Sequence, residues 1–141
     1  MKMKQLGQKI IKGEFTLKFK GDDSGNMHSR LTPDCFYAKA MPTPVKTPEL
    51  IAWNKPLAKE LGLESPNQEG LSILSGNKIL PAMYPYASCY GGHQFGHWAG
   101  QLGDGRAINL GEINSKSGNF ELQLKGAGPT PYSRGADGRA V

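Results

Sequence analysis

Apolar and polar residues alternate most clearly in the last third of the chain. Residues 106–113 and residues 120–125 each have the pattern of a β-strand, and the polar segment NSKSGN separates them. Successive side chains of a strand point to opposite faces. One face of the second strand therefore carries Phe120, Leu122 and Leu124. The pattern predicts an antiparallel hairpin in which Lys125 projects from the opposite, polar face.

Two helices are predicted upstream of this hairpin. Apolar residues recur every three or four positions between Thr47 and Gly62, where Thr47 is a suitable N-cap and Pro48 suits the first helical position. Pro56 lies inside this span and is expected to kink or split the helix, because proline lacks a backbone N–H. A second, shorter helix is predicted over residues 68–74.

One strand and two segments without regular structure complete the predicted elements. Residues 14–20 alternate apolar and polar positions, which predicts a short half-buried strand. Prolines recur through residues 33–48, which predicts extended chain lying along a surface. The glycine-rich residues 80–105 are predicted to have little regularity. Together these elements predict an α+β fold, with an antiparallel sheet, a few helices and an extended amino-terminal segment.

The charge of the chain favours anionic partners. Its 141 residues carry a net charge of +5, with a pI near 9.3. Such a surplus suits phosphates, nucleotides, nucleic acid or acidic proteins, although it serves solubility equally well. Nucleic acid is the weakest of these choices, because the chain has no run of five like charges and no aromatic residues interleaved with Lys and Arg.

The two cysteines indicate a reducing compartment. Cys35 and Cys89 are far apart in sequence and belong to no CxxC pair, so we interpret them as reduced thiols rather than as a zinc site or a disulfide framework. The first dozen residues lack the apolar region of a signal peptide. No window approaches the roughly 18 apolar residues that span a bilayer. We therefore expect a cytoplasmic protein that does not insert into membranes.

A candidate phosphate site lies at the start of the predicted hairpin. Gly103 and Gly105 flank Asp104 and allow backbone N–H groups to approach an anion closely. Arg106 can present a bidentate fork to phosphate oxygens, and Lys125 supplies a compact positive charge from the next strand. Protein kinases have a similar amino-terminal lobe, in which a glycine-rich loop joins two strands and a lysine lies on the third. The chain lacks both a P-loop and a Rossmann fingerprint.

Three other motifs are given structural interpretations. His93 and His97 are four residues apart, but the glycines around them oppose a helix, and we interpret them as polar loop residues rather than metal ligands. Tyr132 and Ser133 have no paired base, so nucleophilic catalysis is not predicted there. On local sequence alone, the segment that begins at Asp137 is an ordinary turn.

Two long segments resemble the selenoprotein O family. They are YGGHQFGHWAGQLGDGRAINLGE (Tyr90–Glu112) and ELQLKGAGPTPYSRGADGRAV (Glu121–Val141), and the upstream Phe36–Leu63 resembles the amino-terminal extension of that family. The resemblance implies a kinase-like fold. It also implies protein adenylyltransferase activity, in which ATP binds in a flipped orientation, AMP passes to a Ser, Thr or Tyr hydroxyl of a protein, and pyrophosphate leaves.

The resemblance also assigns site residues. The nucleotide contacts of the first loop would be Gly103, Gly105 and Arg106. Lys125 matches the strand lysine that neutralises phosphate charge, while Asp137 and Gly138 match the contacts of a second loop. A carboxylate cannot stabilise phosphate directly, so Asp137 is expected to orient a cation or to accept hydrogen bonds from the nucleotide.

The family's catalytic machinery is expected to lie outside this chain. Its helix glutamate, its catalytic aspartate, its Asn and Asp ligands for Mg²⁺ or Mn²⁺ and two further arginines all follow the position of Val141. We therefore interpret residues 1–35 as a partly flexible extension and residues 36–141 as a truncated, nucleotide-binding lobe that is inactive alone. A location in mitochondria is implied if the source is a eukaryote. Two alternatives stay open: a protein kinase of the same fold, and a non-catalytic scaffold that binds ATP.

Overall fold

The structure is a computed structural model that describes residues 2–140, and it contains seven strands and three short α-helices within that range. The helices are α1 (Phe15–Lys18), α2 (Lys55–Leu61) and α3 (Gln68–Leu74), and a 3₁₀ turn covers Leu6–Gln8. The strands are β1 (Ile10–Ile11), β2 (Tyr37–Lys39), β3 (Tyr86–Ser88), β4 (Gly91–Gln94), β5 (His97–Gln101), β6 (Ala107–Ser115) and β7 (Gly118–Lys125). No helix in residues 2–140 is long and apolar enough to cross a bilayer.

Strand β6 is the centre of a five-stranded antiparallel sheet. One edge of β6 pairs along its whole length with β7, while its other edge pairs with β3 near its start and with β1 near its end. Strand β2 pairs with the outer edge of β3. Strands β4 and β5 form a separate two-stranded sheet. This mixture of antiparallel sheet and few helices confirms the predicted α+β class and its similarity to a kinase amino-terminal lobe.

The predicted hairpin is confirmed in strands β6 and β7. Ser115 pairs with Gly118, which leaves Lys116 and Ser117 as a two-residue turn, so both strands extend into the predicted polar loop. A register shift lies between Asn109 and Gly111. Gly111 has a φ of +156°, and a Cβ atom there would lie 2.5 Å from the backbone oxygen of Ile11. Glycine is therefore needed at position 111, where β6 lies beside its partner β1.

The core lies between one face of the sheet and helices α2 and α3. The fully buried side chains of β6, Ile108, Leu110 and Ile113, are 0–1% exposed. The face of β7 predicted to be apolar packs against this core through Phe120, Leu122 and Leu124, as predicted. Ile73 of α3 is fully buried in the same cluster, together with Leu6 and Ile10 from the amino-terminal segment. The opposite face of β7 is left free to carry the polar Lys125.

Helix α3 is confirmed, whereas the predicted start of α2 is wrong. Asn67 caps α3 by accepting a hydrogen bond of 2.8 Å from the backbone N–H of Gly70. Helix α2 begins eight residues after Thr47, because Asn54 acts as its N-cap and Pro56 falls in the first turn, where a missing N–H has no effect. The predicted end at Gly62 is confirmed by a left-handed φ of +69°.

The strand predicted over residues 14–20 is wrong. Residues 15–18 form one helical turn, which the ion pair of 2.5 Å between Glu14 and Lys18 stabilises. The helical spacing brings the rings of Phe15 and Phe19 to a centroid distance of 4.9 Å, and Phe15 stacks on Tyr86 at 5.5 Å. Packing of aromatic rings against the sheet therefore overrides the alternating pattern.

The two segments predicted to be extended or irregular differ in outcome. Residues 33–48 contain no regular structure other than the short strand β2, as predicted, but the chain is not extended throughout, because it turns at Asp34 and Thr47, where φ is positive. Residues 80–105 contain strands β3, β4 and β5, so the prediction of low regularity there is wrong. The β4–β5 hairpin turns through Phe95 and Gly96, which have φ values of +51° and +79°. This pair of positive φ angles is typical of a type I′ turn, which suits a two-residue hairpin.

Candidate functional site

Two glycine-rich loops meet beside the polar face of β7. The first, residues 102–106, joins β5 to β6, and the second, residues 126–139, follows β7. A cavity of about 580 Å³ lies between them. Five of the six residues predicted to bind the nucleotide line this cavity: Gly103, Gly105, Arg106, Lys125 and Gly138. Residues that are 35 positions apart in sequence are thus brought to one cavity.

The sixth predicted residue, Asp137, does not line the cavity. Its carboxylate accepts a hydrogen bond of 2.9 Å from the backbone N–H of Arg139. Arg139 itself lines the cavity and donates from its guanidinium to the backbone oxygens of Thr43 and Gly126, at 3.3 and 3.2 Å. Asp137 therefore shapes the turn that carries Arg139.

The glycines of the two loops allow the loops to touch each other. Gly103 has a φ of +149°, and a Cβ atom there would lie 2.6 Å from the ring of Tyr132 and 2.8 Å from the backbone oxygen of Ser88. A Cβ atom on Gly105 would lie 3.2 Å from the backbone oxygen of Tyr132. Glycine is thus required at position 103 by close packing between protein segments, in addition to any approach of a ligand.

Hydrogen bonds fix the second loop against the first. The hydroxyl of Thr130 donates to the backbone oxygen of Asp104 at 2.6 Å, and the hydroxyl of Ser133 donates to the backbone oxygen of Gly105. Tyr132 is buried, its hydroxyl bonds to that of Thr32 at 2.9 Å, and burial raises its pKa. Tyr132 and Ser133 are therefore structural residues here, in agreement with the sequence interpretation.

The cavity wall is strongly cationic. Four positively charged side chains line it, whereas Asp104 is the one carboxylate among the described lining residues; the cations are Arg106, Lys125, Arg134 and Arg139. Lys125 pairs in register with Ala107, the first residue of β6, which places its backbone close to Arg106, the last residue of the first loop. Within residues 2–140, neither Arg106 nor Lys125 makes a side-chain hydrogen bond or an ion pair. Both exposed cations are therefore available to an anion.

Asp104 anchors the loop that precedes β6. Its backbone N–H donates to the oxygen of Ser88 at 2.9 Å. Its carboxylate accepts hydrogen bonds from the hydroxyl of Tyr90 at 3.3 Å and from the side-chain amide of Gln123 at 3.4 Å. Gln123 also donates to the side-chain oxygen of Asn109 at 3.2 Å. The sheet face beside Lys125 is therefore a network of polar side chains.

Sequence reasoning missed Arg134 and Arg139. Both follow Lys125 in the same glycine-rich segment that supplied Gly138, and both line the cavity. The sequence did contain a signal for these two arginines, because cations in a loop that meets a candidate phosphate site are themselves candidate phosphate ligands. The local turn around Asp137 gave no indication of how that loop folds back on β6.

The histidines and cysteines do not form a metal site. Among residues 2–140, no three His, Cys, Asp or Glu side chains are close enough together to bind a metal ion. His93 lies on β4 and His97 on β5, not in a loop as interpreted, and His93 contacts the ring of Trp98 at 5.2 Å. Cys35 and Cys89 are unpaired, and burial raises the pKa of the Cys35 thiol.

Comparisons with known proteins agree with the sequence resemblance. The chain is 59% identical over 140 residues to the protein nucleotidyltransferase YdiU of Cytophaga hutchinsonii. The alignment covers 99% of this chain and 27% of that protein. It is 53% identical over 131 residues to the YdiU protein of Nitrosospira multiformis, which covers 90% of this chain and 23% of the relative. The YdiU protein of Xanthomonas euvesicatoria is 59% identical over 109 residues, or 74% of this chain and 21% of the relative.

The chain therefore spans about a quarter of the length of the curated relatives it matches. The family described as Protein adenylyltransferase SelO matches residues 25–141, and this range contains both loops and every residue predicted to bind the nucleotide. Because the match covers most of the chain and the relatives agree with it, the chain belongs to the protein adenylyltransferase SelO family.

Proposed function

We propose that the cationic cavity binds the phosphates of ATP and that the whole protein transfers AMP to Ser, Thr or Tyr hydroxyls of other proteins. The observation that carries the proposal is the pair Arg106 and Lys125. Arg106 directly precedes β6 and Lys125 ends the neighbouring strand β7; both line the same cavity and have no anionic partner within residues 2–140. Uncompensated cations at the mouth of a cavity favour a strongly charged anion.

The two loops supply the remaining contacts. Gly103 and Gly105 keep the backbone of the first loop near Arg106, so that its N–H groups are able to approach phosphate oxygens. Gly138 brings the second loop to the opposite wall, and Asp137 sets the turn that places Arg139 there. In this proposal Asp137 acts through Arg139 rather than on the nucleotide, which is one of the two roles expected from the sequence.

The proposed reaction breaks one phosphoanhydride bond. The hydroxyl oxygen of the acceptor protein attacks the α-phosphorus of ATP, a phosphodiester forms, and pyrophosphate leaves with the negative charge of the broken bond. Arg106 and Lys125 bind the phosphates and offset their charge. The hydroxyl proton of the acceptor passes to a base that we place outside the described residues, because Asp104 is the one carboxylate that lines the cavity and it already accepts hydrogen bonds from two side chains.

A divalent metal ion would offset further phosphate charge when bound. The residues described here do not fit such an ion. Asp104 is the one carboxylate among the lining residues, and no three His, Cys, Asp or Glu side chains in residues 2–140 lie close enough together to bind a metal ion. We infer that Mg²⁺ or Mn²⁺ is held by residues outside this chain. We also infer a cytoplasmic location, since two unpaired cysteines suit a reducing compartment.

The proposal is tested with ATP labelled at either the α- or the γ-phosphate. The whole protein is incubated with a bacterial lysate or with itself as acceptor, and the label on protein is measured. Retention of the α-label alone supports AMP transfer. Retention of the γ-label alone identifies a protein kinase instead, and ATP binding without any label on protein identifies a non-catalytic scaffold.

A matched pair of lysine variants tests the site. Lys125→Gln should weaken ATP binding about 10- to 100-fold, since a hydrogen bond to a charged group contributes about 1.5–3 kcal/mol. Lys116→Gln removes the same charge from the exposed turn at the far end of the same hairpin and should leave binding unchanged. Equal binding by the wild type and Lys125→Gln would refute the assignment of Lys125.

A further inference from the structure

The β4–β5 hairpin is inserted between two neighbouring strands of the main sheet. Strands β3 and β6 pair with each other, and the chain leaves the sheet after β3, forms the hairpin and returns at β6. The hairpin is its own two-stranded sheet, and most of its residues are exposed. Two-stranded hairpins are only marginally stable in water, so contacts with the body of the protein decide where the hairpin lies.

One such contact crosses from the hairpin to the second loop of the cavity. The guanidinium of Arg134 donates a hydrogen bond of 2.7 Å to the side-chain oxygen of Gln94, the last residue of β4. Both residues line the cavity, and both are exposed. The two residues are 40 positions apart in sequence, so this bond is a tertiary contact at the rim of the cavity.

Arg134 differs from the other arginine of the second loop. Arg139 donates to two backbone oxygens, those of Thr43 and Gly126, and so fixes the loop to the proline-rich segment. Arg134 has a single side-chain partner within residues 2–140, and that partner is a neutral amide. Its positive charge is therefore not neutralised, and most of its five N–H donors are free for a ligand.

We propose that Arg134 is a further phosphate-binding residue of this cavity and that Gln94 on the β4–β5 hairpin positions its guanidinium. This inference rests on the proposed binding of ATP. A neutral partner is suited to this role, because it restricts the side chain without cancelling the charge that the phosphates require. The planar guanidinium can contact two phosphate oxygens at once while one N–H remains on Gln94.

Gln94 also couples the hairpin to the nucleotide. A phosphate bound by Arg134 holds that guanidinium in place, which strengthens the contact that fixes the end of β4. Binding of a polyphosphate should therefore slow hydrogen exchange in residues 91–101, whereas adenosine should not. This effect separates a ligand contact from a purely structural role of Arg134.

The test uses the whole protein and four variants. Arg134→Gln removes the charge, and Gln94→Glu neutralises it by an ion pair without altering Arg134. Gln94→Ala removes only the positioning contact, and Lys116→Gln is the control with the same loss of one positive charge. Affinities for ATP, inorganic tripolyphosphate and adenosine are measured at low and high salt.

The expected results differ among the variants. Arg134→Gln and Gln94→Glu should each weaken ATP and tripolyphosphate binding about 10-fold or more, since a charged hydrogen bond contributes about 1.5–3 kcal/mol. Both should also reduce the salt dependence of binding, and neither should alter adenosine binding. Gln94→Ala should have a smaller effect of about 2- to 5-fold, typical of a lost neutral hydrogen bond.

Two outcomes overturn the inference, and they are distinguishable. If the wild type binds ATP and both charge-removing variants bind it equally well with the same salt dependence, Arg134 is not a phosphate ligand and the proposed function stands. If the wild type binds neither ATP nor tripolyphosphate, the proposed function falls and this inference with it. Should Arg134→Gln fail to fold, hydrogen exchange of the wild type decides the question: protection of residues 91–101 by tripolyphosphate but not by adenosine supports the inference, and equal exchange with both ligands contradicts it.

Discussion

Replacing Gly138 by alanine should open the loop that forms one wall of the cavity. Gly138 has a φ of +73°, and its backbone lies against Gly128 and Pro129. A Cβ atom at this position would overlap the carbonyl group of Gly128 and lie 2.5 Å from the nitrogen of Pro129. Since real Cβ atoms essentially never come within 3.0 Å of another heavy atom, the backbone of the loop has to move.

A Gly25→Ala variant separates the two contributions to the expected loss of stability, which are the left-handed backbone conformation and the overpacking by the Cβ atom. The φ of +74° at Gly25 is nearly the same, and a Cβ atom there would meet nothing within 4 Å. A left-handed conformation costs alanine about 1–2 kcal/mol, and the reduced freedom of the unfolded chain offsets about 0.4–1 kcal/mol of this. Gly25→Ala should therefore cost about 1 kcal/mol. Gly138→Ala shares this cost and adds about 1–3 kcal/mol for overpacking.

Hydrogen exchange measured by mass spectrometry on the whole protein reports these local free energies. The backbone N–H of Gly128 bonds to the oxygen of Gly138 at 3.1 Å, so its exchange should respond directly. Gly138→Ala should accelerate exchange in residues 126–140 by a factor that exceeds the acceleration caused by Gly25→Ala in its own segment by about 5- to 150-fold, since 1.4 kcal/mol corresponds to a factor of 10. ATP affinity should fall in Gly138→Ala as the wall moves.

The comparison between the two variants decides whether the reasoning holds. If Gly138→Ala accelerates exchange no more than Gly25→Ala does in its own segment, the close approach of Gly138 to Gly128 contributes nothing to the stability of the loop. If exchange in residues 126–140 is unchanged altogether, the glycine requirement at position 138 is absent, and the packing of Gly138 against Gly128 within the second loop does not hold that wall of the cavity in place.

Three further predictions concern the body of the fold. Ile108→Ala should cost about 2–5 kcal/mol of unfolding free energy in urea titrations because Ile108 is 0% exposed, whereas Ile51→Ala, at a position 97% exposed, should change it by less than about 0.5 kcal/mol. Asn67→Ala should destabilise α3 by about 1 kcal/mol, visible as faster exchange in residues 68–74, because it removes the N-cap; no change there would show that the cap is dispensable. Hydrogen bonds from Ser24 and Arg30 lower the pKa of Asp22 to about 2. A lowered carboxyl pKa stabilises the fold above the unfolded pKa of about 3.9, and this stabilisation is lost as the pH falls towards 2. Asp22→Asn should therefore cost at most about 2 kcal/mol at pH 7, and the difference from the wild type should shrink between pH 4 and pH 2; a constant difference across that range would contradict the lowered pKa.

The elements predicted correctly are those that depend on local sequence. The β6–β7 hairpin follows from strict alternation and a polar turn, and the two strands are neighbours in sequence. Helix α3 follows from Asn67, whose side chain satisfies an N–H only three residues away. In both cases the hydrogen bonds that define the element, the β6–β7 ladder and the cap of α3, lie within the segment itself, so sequence patterns contain the necessary information.

Two of the elements predicted wrongly, β3 and the helical turn at Phe15, depend on distant partners. Strand β3 is three residues long and exists because β2 and β6 pair with its two edges, and these strands are far from it in sequence. Phe15 forms a helical turn rather than a strand because its ring stacks on Tyr86. The start of α2 was misplaced for a different reason, since both Thr47 and Asn54 are acceptable caps and only the position of Pro56 distinguishes them.

The sequence indicated most of the residues that line the cavity, but not how the two loops come together to form it. Five of the six predicted residues line the cavity, because glycine and cation types are informative by themselves. The meeting of the two loops depends on the bond from Thr130 to Asp104, which joins residues 26 positions apart. Arg134 and Arg139 were missed for this reason, since nothing in their local sequence indicates that the second loop folds back on the first.

The glycines and the cations of the candidate site have different roles. At Gly103 and Gly138 the space that a side chain would need is already filled by Tyr132 and by Gly128. Gly103 therefore serves the contact between the two loops, and Gly138 serves the packing of the second loop on itself. The side chains of Arg106 and Lys125 make no hydrogen bond or ion pair with any other residue in the range 2–140, although their backbones belong to the sheet and its connections. Glycine substitutions should therefore reduce stability and nucleotide binding together, whereas substitution of the two cations should reduce binding alone. If Lys125→Gln lowered stability as much as it lowered ATP affinity, that lysine would belong to the scaffold, and the case for a phosphate site would have to rest on Arg106 and Arg134.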